Sequence, residues 1–134
     1  LKILGIEMAS AVTYVDNPDQ RLFQAIIMQA FEDCSTSTMS KVDAYNKEDS
    51  YRWFVKADEN YCKICWYADL DPAFVTQNFL RLRKEGSIKF NKTELMWMDY
   101  RERYRQYRAA TTKEQRRAIK KGIDKINFSS LDKK

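Results

Sequence analysis

The order of apolar and polar positions is helical along most of the chain. The clearest start is the Asn17-Pro18-Asp19-Gln20 run, which combines an N-cap, a proline at the first helical position and a Gln able to close a capping box. Apolar residues then recur in pairs every four positions, which predicts a central core helix with a wide apolar face. These residues are Leu22, Phe23, Ile26, Ile27, Ala30, Phe31 and Cys34.

Two further segments separate this helix from the middle of the chain. The Ser/Thr-rich run from Cys34 to Ser40 predicts a loop, because its side chains compete for backbone hydrogen bonds. A second helix is predicted from about Val42 or Asn46 to Lys56. Its late aromatic pair, Trp53 and Phe54, should pack under the elements that follow.

Between Asp58 and Glu85, two short helical patterns are joined by a tight turn. Asp58 is a candidate N-cap for the first, while Asp71 and Pro72 open the second. The apolar positions of the two patterns are Tyr61, Ile64, Cys65 and Ala68, then Leu70, Val75, Phe79 and Leu82. This is the outline of a helix-turn-helix, although any two angled core helices give the same pattern. Asp69 stands where the turn usually has Gly, and Asn78 where another apolar residue is typical.

The last third of the chain contains two more predicted helices. Gly86 should end the preceding helix, and Ser87 to Phe90 form either a linker, which we favour, or the first strand of a wing. Capping boxes at Asn91 to Glu94 and at Thr112 to Gln115 open helices that run to about Ala110 and about Ile126.

These patterns predict an all-α protein, a single-domain helical bundle of about five or six helices, with or without one short β element. Only 3 Gly and 2 Pro among 134 residues argue against the many turns of an all-β fold. We assign residues 1–16 to an N-terminal arm, a strand pair or a helix start, and 17–90 to a helical core with the helix-turn-helix-like unit at 58–85. Residues 91–127 form basic C-terminal helices and 128–134 a tail. In the tail, we expect Phe128 to Leu131 to pack back onto the core and the last three residues to be disordered.

Charge is distributed unevenly. Residues 1–80 carry a net charge of −5 and residues 81–134 one of +10. A basic half of this kind favours an anionic partner, most often nucleic acid, whereas pairing between the two halves would neutralise it internally. Arg101, Arg105 and Arg108 share one helix face beside an aromatic stripe of Trp97, Tyr100, Tyr104 and Tyr107. The arginines indicate either a phosphate-facing strip or an ordinary solvated face, and the aromatic stripe fits a core better than a ligand site.

Other classes of function have little support. Cys62 and Cys65 form a C-x-x-C motif, but the chain has no His and only one other Cys, so we expect neither a metal site nor a thioredoxin-like redox pair. Without His or a Gly-rich phosphate loop, we expect no catalytic residues, no cofactor and no enzyme activity.

An odd cysteine count, no apolar run of about 20 residues and no signal-peptide pattern predict a soluble, cytoplasmic protein that does not enter a membrane. Because the chain begins at Leu1, we expect processing, trimming or unusual initiation.

A family resemblance is carried by Trp53-Phe54, Asp58, Tyr61, Cys62 or Cys65, Ala68-Asp69-Leu70-Asp71-Pro72 and Val75. Over residues 20–85 the chain resembles small uncharacterised proteins of phages and prophages, in which a tryptophan precedes a cysteine-bearing helix and an Ala-Gly-Leu-Asp-Pro turn. The resemblance implies a phage-encoded DNA-binding regulator in the host cytoplasm, an analogy of fold.

The hypothesis is therefore a DNA-binding helix-turn-helix protein acting in transcriptional regulation, with a homodimer as a candidate assembly. The candidate base readers are Ala73, Thr76 and Gln77. The candidate phosphate contacts are Arg81, Arg83, Lys84, Lys89, Arg101, Arg105, Arg108, Arg116, Arg117, Lys120 and Lys121. One alternative is a phage effector that binds a host protein such as a polymerase or a nuclease, since Tyr, Trp and Arg are common interface anchors. The other is a structural or packaging component that binds DNA as a ring.

Overall fold

The computed structural model describes residues 17–126 and the backbone of two short strands near the N terminus. The helices are α1 (Pro18–Ser35), α2 (Lys41–Lys56), α3 (Glu59–Tyr67), α4 (Pro72–Lys84), α5 (Lys92–Ala109) and α6 (Lys113–Asp124). Strands β1 (Lys2–Ile3) and β2 (Ile6–Glu7) pair antiparallel, with Lys2 opposite Glu7. The predicted all-α class with five or six helices is confirmed. The rest of the predicted arm and the whole of the predicted tail, residues 128–134, lie outside the described residues.

The chain divides into two compact units. The first comprises Leu1–Thr36 and Asn46–Lys89, and the second comprises Ser37–Tyr45 and Phe90–Lys134. The single domain that the sequence predicts stays a prediction.

The helix starts follow the capping chemistry read from the sequence. Asn17 accepts hydrogen bonds from the backbone N–H groups of Asp19 and Gln20, and Asn91 and Glu94 form the reciprocal capping box predicted for α5. Asp58, Asp71 and Thr112 cap α3, α4 and α6. The third predicted box is only half formed, because the Gln115 side chain accepts from the Thr111 N–H instead of from Thr112.

Aromatic rings form the centre of the first unit. Phe54 and Phe79 are fully buried and stack with their centroids 4.4 Å apart, and Trp53 meets Tyr61 edge-on at 4.7 Å. Burying one such side chain stabilises a fold by about 1.5–3 kcal/mol. The prediction that Trp53 and Phe54 pack under the two helices that follow is confirmed.

Helix α1 is less central than its apolar pattern predicts. Ile27 and Cys34 are fully buried, but Leu22 is 58% exposed and Ile26 is also exposed. The physical reason is that only one side of α1 packs against α3. One of the buried residues on that side is polar. Gln24 is 1% exposed, and its Nε2 donates to the Ala68 carbonyl oxygen at 3.1 Å.

A linker connects α4 to the second unit. Gly86 has a φ of +88° and ends α4 as predicted, since this left-handed conformation favours glycine. Residues 87–90 are not a strand, so the linker interpretation holds and the wing does not form. Ile88 is buried, and the buried Lys47 ammonium donates to the Lys89 carbonyl oxygen at 2.8 Å, which attaches the linker to α2.

In the second unit, α6 packs against α5. The Glu94 carboxylate is fully buried and accepts from the backbone N–H groups of Thr38 at 2.9 Å and Asn91 at 2.7 Å. The Arg103 side chain of α5 extends over Gly122 of α6. A Cβ at Gly122 would lie 2.3 Å from the Arg103 guanidinium, whose Nε also pairs with Asp99 at 3.0 Å.

Candidate nucleic-acid interface

The turn between α3 and α4 has a defined hydrogen-bonding pattern. The Asp69 N–H donates to the Trp66 carbonyl at 3.0 Å, and the Leu70 N–H donates to the Cys65 carbonyl at 2.9 Å. These two bonds form a Schellman motif, which places Asp69 at the left-handed position with a φ of +62°. Asp69 therefore adopts the conformation for which the turn usually uses Gly, and Leu70 is buried behind it.

The contact between α3 and α4 uses the residues that the sequence predicted. Cys65, Ala68 and Val75 are buried together, and the phenol of Tyr61 lies 3.0 Å from the Thr76 hydroxyl. Thr76 is thus partly buried and linked to α3. This hydrogen bond favours a structural role for Thr76 over the base contact assigned to it from the sequence.

The outer face of α4 is exposed and mixed in polarity, since Phe74 (46% exposed) and Leu80 (36% exposed) lie one turn before and after Gln77. Ala73 and Gln77 lie on it one turn apart in the first half of the helix, and Gln77 makes no hydrogen bond to another described residue. Further along, Arg81 pairs with Glu85 at 3.1 Å, and Lys84 is exposed. This face offers an amide near the N-terminal end of α4 and cations toward its C-terminal end.

Two other predicted phosphate contacts of the first unit are also exposed. Arg83 donates to the Tyr51 hydroxyl at 3.1 Å, an arrangement that fixes its guanidinium. Lys89 is an exposed residue of the linker.

Large aromatic residues are exposed beside the turn. Trp66 is 63% exposed, Tyr67 58% and Phe74 46%. Tyr67 also contacts the ring of Phe23 at 5.0 Å between centroids. Exposed aromatic residues of this size are common at binding surfaces.

The second unit contains a ladder of aromatic rings along α5. Trp97 meets Tyr100 at 5.6 Å, Tyr100 meets Tyr104 at 4.8 Å, and Tyr104 meets Tyr107 at 6.1 Å. All four side chains are only partly buried. The sequence pattern favours a core role for this stripe, whereas in the structure it is a partly exposed surface feature. Burial, with the hydrogen bond to Tyr104 next, raises the pKa of Tyr100.

Cations surround this ladder. The Lys41 ammonium lies 5.8 Å from the Trp97 ring centre and 5.7 Å from that of Tyr100, and Lys120 lies 5.9 Å from that of Tyr104. A hydrogen bond to Asp124 raises the pKa of Lys120.

The three arginines that the sequence predicts to form one strip on α5 have different environments. Arg101 is partly buried, with its guanidinium 4.8 Å from the Tyr45 ring and donating to the Tyr45 carbonyl at 3.3 Å. Arg105 pairs with Glu102. Arg108 is exposed and makes no ion pair within residues 17–126. The three arginines therefore differ in their freedom to contact a phosphate, because Tyr45 of α2 engages Arg101 and Glu102 of the same helix engages Arg105.

The predicted cations of α6 are all exposed. Arg116 donates to the Ala110 carbonyl at 3.3 Å, and Lys120 pairs with Asp124 at 3.3 Å. Arg117 and Lys121 lie one turn apart on the exposed side of the helix, as the spacing predicts.

The predicted site residues thus fall into two groups. Seven of them, from Ala73 to Lys89, belong to the first unit, and seven, from Arg101 to Lys121, belong to the second. Sequence reasoning missed Lys41 and Tyr45, which join the aromatic surface from the start of α2. Their only signal was their own spacing of four residues, and nothing local connects them to α5.

The cysteines have the environments of structural thiols. Burial raises the pKa of Cys34 to about 12 and that of Cys65 to about 11. Cys62 is partly exposed, and all three are free thiols. Within the described residues, no group of three or more Cys, Asp or Glu side chains is placed to hold a metal ion.

Of the helices in the described part of the chain, none is both long enough and apolar enough to cross a bilayer. The chain matches no protein-family profile, and it shows no significant similarity to curated proteins or to solved structures.

Proposed function

We propose that this protein binds double-stranded DNA through α4, as a helix-turn-helix protein of phage origin that acts in transcriptional regulation. One observation carries the proposal: the Schellman turn joins α3 to α4 with their apolar faces buried, and it leaves Ala73 and Gln77 exposed on the outer face of α4. In a helix-turn-helix protein, residues near the start of the second helix contact base edges in the major groove.

The side-chain chemistry of α4 supports this assignment. Gln77 offers a donor and an acceptor, the combination that pairs with adenine in the major groove. Arg81 and Lys84 supply positive charge for the flanking phosphates, and Ala73 leaves room for close approach. A homodimer would place two copies of α4 on two half-sites.

The experiment that tests base reading is selection of preferred sites from a random duplex library by the wild type and by Gln77→Ala. We expect the variant to lose discrimination at one base pair, because a bidentate contact is worth about 1–3 kcal/mol. The matched control is Gln29→Ala, which removes an exposed glutamine of α1 in the same unit. An unchanged preference in Gln77→Ala would contradict the role of α4. Mass in solution, recorded on the same samples, separates a monomer or a dimer from a ring.

A second candidate function is favoured by the exposed aromatic residues beside the turn. Trp66, Tyr67 and Phe74 have the chemistry of interface anchors, and a host polymerase or nuclease is a suitable class of partner for a phage effector. Under this alternative, Trp66→Ala would abolish capture of the partner while Gln77→Ala would leave it intact.

A further inference from the structure

The second unit has a cavity that combines aromatic rings with positive charge. Its volume is about 320 Å³, and it is lined by Lys41, Tyr45, Tyr100, Arg101, Tyr104 and Arg108. Cavities of a few hundred Å³ are the size that small ligands occupy. Three of the lining side chains are aromatic and three are cationic, and no carboxylate is among them.

The absence of a lining carboxylate separates this cavity from two others of the second unit. The cavity beside Gly122 includes Asp99 among its cations, and the one beside Tyr107 includes Glu114 and Asp124. Carboxylates repel an anionic ligand at close range, whereas every charged side chain that lines the cavity at Tyr100 is a cation. Its electrostatics therefore select a ligand that carries negative charge.

The rings add a second requirement. Tyr100 and Tyr104 lie 4.8 Å apart, and Arg101 already covers one face of the Tyr45 ring at 4.8 Å. A flat ligand can stack on Tyr100 or Tyr104 after the flexible Lys41 or Lys120 side chain moves aside, and the released ammonium can then meet an anion. A planar group attached to a phosphate satisfies both the rings and the cations.

From this geometry we propose that the Tyr100 cavity binds an unpaired nucleobase together with its phosphate. The base stacks on Tyr100 and Tyr104, and Arg108 with Lys41 contacts the phosphate. Arg108 suits this role because it is exposed and makes no ion pair within the described residues. The cavity is thus a site for single-stranded nucleic acid, in which aromatic stacking and a positively charged groove act together. It goes beyond the proposed duplex reading by α4 and does not depend on it.

The test uses the full chain and a fluorescein-labelled dT12 oligonucleotide, with binding followed by fluorescence anisotropy at low salt. Removing one stacking ring weakens binding of a single strand by roughly five- to a hundredfold. We expect that loss for Tyr100→Leu, and we expect Tyr100→Phe to stay within twofold of the wild type because it keeps the ring. Tyr107→Leu is the matched control: it removes a ring from the same ladder but outside this cavity.

Two further arms complete the experiment. Thermal unfolding followed by circular dichroism shows that each variant is folded. If Tyr100→Leu is unstable, Tyr104→Leu keeps the test decisive, because it removes the other stacking ring and should cause the same loss. Thymidine monophosphate added as competitor distinguishes the sources of the ligand. Displacement of dT12 at equal nucleotide concentration would assign the cavity to a free nucleotide, and failure to compete would assign it to a strand.

Equal losses for Tyr100→Leu and Tyr107→Leu would overturn the proposal, as would unchanged binding by Tyr100→Leu or a large loss for Tyr100→Phe. Such a result would not contradict duplex binding by α4, because duplex site selection by Gln77→Ala concerns the first unit alone. The two proposals can therefore fail separately.

Discussion

Ala57 and Asp69 have a backbone conformation that most residues avoid. Their φ angles are +47° and +62°, in the left-handed region where a Cβ approaches the neighbouring carbonyl oxygen. Each follows a helix of the first unit, where a sharp change of chain direction is needed. Gly86 solves the same problem after α4 with the residue that has no Cβ.

We predict that Asp69→Gly raises the free energy of unfolding by about 1 kcal/mol, because it relieves left-handed strain of about that size. Ala57→Gly should do the same. The measurement is urea unfolding monitored by circular dichroism. Glu85→Gly is the matched control: Glu85 precedes Gly86 at a φ of −75°, so it gains nothing and loses backbone entropy. A destabilised Asp69→Gly variant would mean that the Asp69 side chain contributes more than the strain costs.

The buried thiols predict a dependence of stability on alkaline pH. Burial raises the pKa of Cys34 from 9.0 to about 12 and that of Cys65 from 9.0 to about 11, so the folded state holds these protons more tightly than the unfolded chain does. The contribution is fully present below pH 9 and is lost as pH rises toward 11 and 12. The urea midpoint should therefore fall over this window.

The contribution of the thiols can be isolated by substitution. Cys34→Ala and Cys65→Ala should each make the alkaline fall of the midpoint shallower than in the wild type. Identical slopes in the wild type and the two variants would contradict the assignment.

At the scale of elements, the start of α5 depends on one buried carboxylate. Glu94 completes the capping box with Asn91 and also accepts from the Thr38 N–H in the α1–α2 connection. We predict that Glu94→Ala destabilises the protein by about 2–3 kcal/mol, since it removes a cap and leaves buried N–H groups unsatisfied. Glu114→Ala, in the first turn of α6 but exposed, should cost no more than about 0.5 kcal/mol in the same thermal unfolding experiment. Similar losses in the two variants would contradict the special role of Glu94.

The helix boundaries also show which structural features can be predicted from the sequence. The helix starts at Asn17, Asp58, Asp71 and Asn91 were predictable because a cap depends on residues within one turn. The end of α4 was predictable for the same reason. Gln24 escaped prediction because its partner, the Ala68 carbonyl, lies 44 residues away.

The candidate sites could also be predicted only where they depend on residues that lie close together in the sequence. The outer face of α4 could be predicted from spacing alone, since Ala73 and Gln77 share a helix face. The aromatic cavity could not, because Lys41 and Tyr45 reach it from α2. The hydrogen bond between Thr76 and Tyr61 could not be predicted, because the pattern of α4 does not reveal the phenol of Tyr61 on α3.

At the scale of the whole molecule, charge separates the chain into an acidic first part and a basic last part. Residues 81–134 carry +10, and in the described part Arg81, Arg103, Arg105 and Lys120 each pair with a carboxylate three or four residues away. Exposed pairs of this kind contribute at most about 1 kcal/mol each and are screened by salt. A polyanion can therefore replace the carboxylates at little cost, which makes the basic surface available to phosphates.

The most direct test of duplex binding by α4 is the affinity of the purified protein for mixed-sequence duplex DNA across a salt series. We expect tight binding at low salt and a linear fall of log affinity with log salt, with about 0.9 in slope for each phosphate neutralised. Lys84→Gln should reduce the slope by about that amount, whereas Lys63→Gln, an exposed cation on α3, should leave it unchanged. No binding at low salt, or equal slopes for Lys84→Gln and the wild type, would contradict the assignment of α4 to DNA.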